Sequence, residues 1–113
     1  MLDNNNCCSI TDAAFIAQKM MRVLEGIHDT GYIYLDLKPE NMMVHNFNPN
    51  TLFLVDFGAA LKIFDETGEH VKSNVRVEYK AYTAIFATNK VLRSLSTSRG
   101  DDLIMLGYIY FLI

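Results

Sequence analysis

Tryptophan is absent from this chain, proline occurs twice, and the only cysteines are the adjacent pair Cys7 and Cys8. A bond between neighbouring cysteines is strained and closes no useful loop, so no disulfide framework is expected. Reduced thiols fit an intracellular setting, cytoplasmic or nuclear. No cluster of lysine and arginine is present, and the formal net charge is -3. Nucleic-acid affinity comes mainly from neutralising phosphates, which argues against DNA or RNA as a partner. Residues 1–9 lack a basic stretch followed by an apolar one, so no secretory signal is read. The longest uncharged apolar run, Leu103 to Ile113, falls well short of the ~20 residues that a membrane span requires. No membrane partner is expected.

What is present suits a packed fold. Half of the 113 residues are hydrophobic, seven phenylalanines and six tyrosines among them, enough to build a core in a chain that holds one domain at most. Residues 1–8, with Asn4, Asn5 and Asn6, read as a loose leader. Ser9, with Asp12 three positions on, is placed to cap a helix. Ile16, Met20, Val23, Leu24 and Ile27 then repeat at the spacing of one buried face, Gln18, Lys19, Arg22 and Glu25 fall on others, and Gly31 is placed to end the helix. Tyr32–Tyr34 is too short to assign, and Pro39 excludes a regular helix beyond it.

Met42–Val44 and Leu52–Val55 are apolar runs joined by Asn46-Phe47-Asn48-Pro49-Asn50-Thr51, a turn-forming composition, and read as an antiparallel hairpin. Lys62–Lys80 mixes both charges without a period and reads as a long loop. Asn89–Leu95 reads as a short helix and Ser96–Gly100 as a polar turn. Asp101 and Asp102 stand where acidic groups favour the start of a last apolar helix.

At the open end of such a hairpin, the residue before the first strand meets the residue after the second, with the strands ~5 Å apart. Those residues are Asn41 and Asp56. An amide oxygen and a carboxylate are hard ligands, suited to Mg²⁺ shared with substrate phosphates. Asp36 and Lys38 lie on the loop just before, a candidate base and a cation, and Gly58 lets the backbone turn sharply after Asp56. Singly these signals are weak, because an Asp or Asn in a turn more often bonds backbone. Together, Asp36-Leu37-Lys38-Pro39-Glu40-Asn41 followed after a hairpin by Asp56-Phe57-Gly58 resembles the catalytic loop and metal-binding triplet of the protein kinase family. Residues Tyr82 to Thr88 resemble the end of the activation segment in the casein-kinase-like branch, which lacks the usual Ala-Pro-Glu triplet. Ser98 to Tyr108 resembles that branch's buried helix, with Asp102 at the family's structural aspartate.

The resemblance implies an α+β, protein-kinase-like fold in which residues 9–113 are a partial catalytic domain. They would be a piece of the large lobe, mainly helical with a short hairpin, without the Gly-rich loop and nucleotide-contacting lysine of the small lobe. It implies ATP-dependent phosphorylation of protein serine or threonine, with ATP and Mg²⁺ as cofactors and a protein as substrate. Asp36 would accept or orient the substrate hydroxyl proton, Lys38 would contact the transferred phosphate, and Asn41 and Asp56 would hold Mg²⁺. The family's His-Arg-Asp reads Tyr34-Leu35-Asp36 here, and Tyr82 stands where a glycine usually precedes Thr83. The altered Tyr34-Leu35 and the missing parts motivate a second reading, a pseudokinase or regulatory decoy. A third is a non-kinase phosphate-binding domain. The 113 residues by themselves are expected to be inactive.

Other residues receive plainer readings. His28, His45 and His70 share no ligand spacing with the cysteines and are assigned surface or packing roles. Met20, Met21, Met42 and Met43 read as core filler. Thr67, Ser73, Tyr79 and Tyr82 offer hydroxyls where phosphorylation would act, as any exposed loop does. Lys72, Arg76 and Lys80 interleave with Glu69 and Glu78 and read as a solvated mixed face.

Overall fold

The computed structural model describes residues 8–79 and 85–112. The expected leader over residues 1–7, and the features read at Lys80, Tyr82 and Thr83, lie outside them. Helix α1 spans Ile10–Asp29. Its start is fixed by Ser9, whose Oγ accepts the Asp12 N–H at 3.0 Å while donating to Asp12 Oδ2 at 2.8 Å, so one side chain satisfies a free helix donor and is itself held. Its end is fixed by Gly31, which takes φ +89°, a conformation costly to any residue with a Cβ. The apolar stripe faces inward as its spacing requires: Met20 and Leu24 are fully buried, and Ile16, Val23 and Ile27 pack against the core.

After α1 come the short strand β1 (Tyr32–Ile33), a single 3₁₀ turn at Pro39–Asn41, strands β2 (Met42–Val44), β3 (Leu52–Leu54) and β4 (Leu61–Lys62), and helices α2 (Asn89–Leu92) and α3 (Arg99–Leu112). The strands form two antiparallel pairs. β2 and β3 make the expected hairpin with Met42 opposite Leu54 and Val44 opposite Leu52, while β1 pairs with β4. α1 packs across α3 and β3. Among the described residues, no helix is long and apolar enough to cross a membrane.

Three expectations need correction or refinement. The stretch from Lys62 onward is a long loop through its described residues, as expected, but one with internal ties. Lys62 belongs to β4, Phe64 bridges His70, and Arg76 bridges Leu95. The turn between the first pair is organised by Asp65, whose Oδ1 accepts from Thr67 N, Thr67 Oγ1 and Glu69 N. The short helix stops at Leu92 rather than Leu95, because Leu95 and Ser96 are taken into pairing with the segment around Val75 and Arg76. Finally, Met21 and Met43 are exposed, at 54% and 44%, whereas Met20 is buried and Met42 half-buried. On β2 successive side chains point to opposite faces, and on α1 Met21 lies off the stripe that Met20 shares with Leu24.

Candidate active site

Asp102, in the first turn of α3, is fully buried and organises the loop that carries Asp36. Its Oδ2 accepts the backbone N–H of Tyr34 and its Oδ1 that of Leu35, each at 2.8 Å. His28 Nε2 on α1 lies 2.8 Å from Oδ2. One carboxylate therefore ties together α1, α3 and the loop. Leu35 is buried with φ +64°, a left-handed backbone uncommon for a branched side chain, and the bonds from its own N–H and from that of Tyr34 to Asp102 hold it there.

The loop then presents Asp36 beside Lys38, with Lys38 Nζ 3.6 Å from Asp36 Oδ1. Pro39 opens the 3₁₀ turn, and the buried Asn41 reaches back so that its Nδ2 donates to Asp36 O at 2.9 Å and to Asp36 Oδ2 at 3.0 Å. These bonds fix the aspartate's rotamer and leave the amide oxygen of Asn41 facing elsewhere.

Across the hairpin mouth, Val55 N donates to Asn41 O at 3.0 Å, which sets Asp56 next to Asn41 as the register argument requires. Asp56 is exposed with φ +63°, and its Oδ1 accepts from Gly58 N at 3.2 Å. The Tyr34 hydroxyl donates to Val55 O, and the Tyr34 ring meets Phe57 edge-on, 5.2 Å between centroids. Burial pushes the Tyr34 phenol well above its ordinary range; the carboxylates of Asp36, Asp56 and Asp102 push the same way, against a hydrogen bond with Asn41. The phenol thus stays protonated and donating at neutral pH, and ties the loop to the end of β3 through Val55 O.

Asp36, Lys38, Asn41 and Asp56 are therefore brought together, on two sides of one hairpin mouth. The donor set fits a magnesium ion: an amide oxygen whose nitrogen is already engaged, and an exposed carboxylate. Sequence reasoning missed His28, assigned only a packing role, as the partner of Asp102. It also missed the clamp on the following segment. Ser96 Oγ donates to Lys72 O at 2.6 Å and accepts from Val75 N at 3.2 Å, and the Tyr79 hydroxyl donates to Leu95 O and accepts from Thr97 Oγ1. Burial raises the Tyr79 phenol above its ordinary value. Thr88 Oγ1 donates to Asp101 Oδ1 at 2.7 Å, both buried.

The sequence model of the protein kinase domain matches residues 1–113. This chain belongs to the protein kinase domain family. Among curated proteins it is similar to a probable casein kinase I homologue of Encephalitozoon cuniculi, 32% identical over 102 residues, covering 89% of this chain and 31% of that protein. Casein kinase I homologue 2 of Schizosaccharomyces pombe is 31% identical over 106 residues, 90% of this chain and 24% of its own length. Casein kinase I homologue 3 of Saccharomyces cerevisiae is 27% identical, covering 91% and 23%. The chain thus spans about a quarter to a third of the length of these three relatives, and its helices with small antiparallel sheets are consistent with the kinase fold.

Proposed function

We propose that the protein carrying this chain is an ATP-dependent serine/threonine kinase, and that residues 9–113 form the part of its large lobe that faces metal and substrate. The observation that carries this reading is the convergence of Asp36, Lys38, Asn41 and Asp56 around one hairpin mouth. Phosphoryl transfer needs in-line positioning and positive charge against the spreading negative charge of the phosphoryl oxygens. Asp36, held by Asn41, orients the substrate hydroxyl and takes its proton. Lys38 neutralises charge on the transferred phosphate, and Asn41 and Asp56 are the residues that hold Mg²⁺. Bound there, the ion supplies electrostatic neutralisation of the nucleotide phosphates. The substitutions at Tyr34 and Leu35 that motivated a decoy reading leave these four side chains in register, which favours the enzyme. The test is transfer of labelled phosphate from ATP to serine or threonine of a protein substrate by the full-length protein. Activity should appear with Mg²⁺ and vanish on chelation with EDTA; no transfer with Mg²⁺ present would overturn the reading.

Regulation by phosphorylation should be slight. In relatives with arginine at the second place of the triplet, the guanidinium pairs with a phosphate on the activation segment, and buried Leu35 offers no such bond. The segment is held instead by Ser96 and Tyr79. Phosphatase treatment is therefore expected to leave activity within about twofold. Silencing by phosphatase, with recovery when the segment between Thr67 and Thr83 is rephosphorylated, would refute this.

A further inference from the structure

Although the chain is net negative, its charge is unevenly placed. From Ala13 to Leu24 on α1 there is no acidic residue, and none from Asn41 to Val55 through the whole hairpin. These two segments pack together, and between them runs a groove of about 280 Å³ lined by Lys19, Arg22, Val23, Asn50, Thr51 and Leu52. Lys19 and Arg22, one helical turn apart, have no carboxylate within ion-pairing distance among the described residues. The Lys19 ammonium lies over the Phe15 ring, 5.4 Å from its centroid, which restrains the side chain while leaving its charge unneutralised. Val23 and Leu52 are half-buried and apolar.

We propose that this groove docks an acidic segment of a partner protein, an extended peptide whose aspartate or glutamate side chains meet Lys19 and Arg22 and whose aliphatic side chain lies on Val23 and Leu52. Charge complementarity selects the partner. Carboxylates are favoured over a phosphate because two backbone donors of the hairpin turn beside the groove are already spent: Asn50 N is bonded to Asn48 Oδ1 and Thr51 N to Asn48 O, whereas phosphate sites commonly draw on several such N–H groups. The surface is formed by the outer face of α1 and the turn of the hairpin, away from the mouth that holds Asp36 and Asp56. The inference does not depend on the catalytic reading.

The experiment measures binding of a fluorescein-labelled decapeptide, one leucine flanked by glutamates, to the full-length protein by fluorescence anisotropy. Binding is expected, weakening with added salt and falling about tenfold or more in the Lys19→Glu/Arg22→Glu double variant. A milder Lys19→Gln/Arg22→Gln variant should lose part of it, which guards against misfolding of the reversal. The same peptide with glutamine for glutamate should not bind. Absence of binding, binding untouched by both double variants, or tighter binding of a phosphoserine peptide lacking carboxylates would each overturn the proposal.

Discussion

Replacing Asp36 by alanine in the full-length protein is expected to lower turnover by about a thousandfold while nearly sparing Mg²⁺-dependent nucleotide binding, whereas Asp56→Ala should damage both. The difference follows from where each carboxylate sits. Asp36 is tied to Asn41 and Lys38 within its own loop, its Oδ2 accepting from Asn41 Nδ2. On the proposed reading it acts on an incoming hydroxyl rather than holding the nucleotide. Asp56 stands across the hairpin mouth, exposed, with Gly58 N donating to its Oδ1, so on the proposed reading its carboxylate would help hold the metal that neutralises nucleotide phosphates. Turnover and nucleotide affinity measured side by side would separate the roles. Wild-type turnover in either variant would sink the assignment, and equal loss of nucleotide binding in both would sink the division of labour.

The parts of the site that a linear reading reached are those written in local chemistry. Ser9 with Asp12, and Gly31, mark the ends of α1 because capping and left-handed backbone are properties of a few neighbouring residues. The Asn- and Pro-rich turn marks the hairpin, and the hairpin puts Asn41 beside Asp56 by register alone. What escaped the reading is held by distant partners. β1 and β4 have two residues each, too few for any period, and exist because each completes the other's backbone bonding. The order beyond Lys62 rests on Ser96 and Leu95 reaching back to Lys72, Val75 and Arg76. His28 and Asp102 are 74 positions apart, and no spacing rule connects them. The Met43 misreading had a local remedy: in a two-residue alternation only one of Met42 and Met43 can face the core, and pairing opposite Phe53 places Met43 on the outer face.

Removing the Asp102 carboxylate should unfold or loosen the domain more than any other single change in the site. Its two oxygens satisfy the Tyr34 and Leu35 N–H groups and meet His28, all three at 2.8 Å, in a position without solvent access. Asp102→Ala leaves two buried backbone donors without acceptors and frees Leu35 from its left-handed conformation, so the loop is expected to relax and carry Asp36 out of line. Breaking a buried, fully bonded charge of this kind costs about 3–5 kcal/mol, a large share of the ~5–15 kcal/mol that holds a typical domain. Asp102→Asn should fare little better, because its amide nitrogen would turn a donor toward one of the two N–H groups or toward His28. Denaturant melts of the full-length protein and its variants would read the cost, and turnover at a temperature where the variant stays folded would read the displacement of Asp36. A variant that lost stability but kept wild-type turnover would show that the catalytic loop holds its shape without Asp102, and one that lost neither would show that the three bonds to it are dispensable.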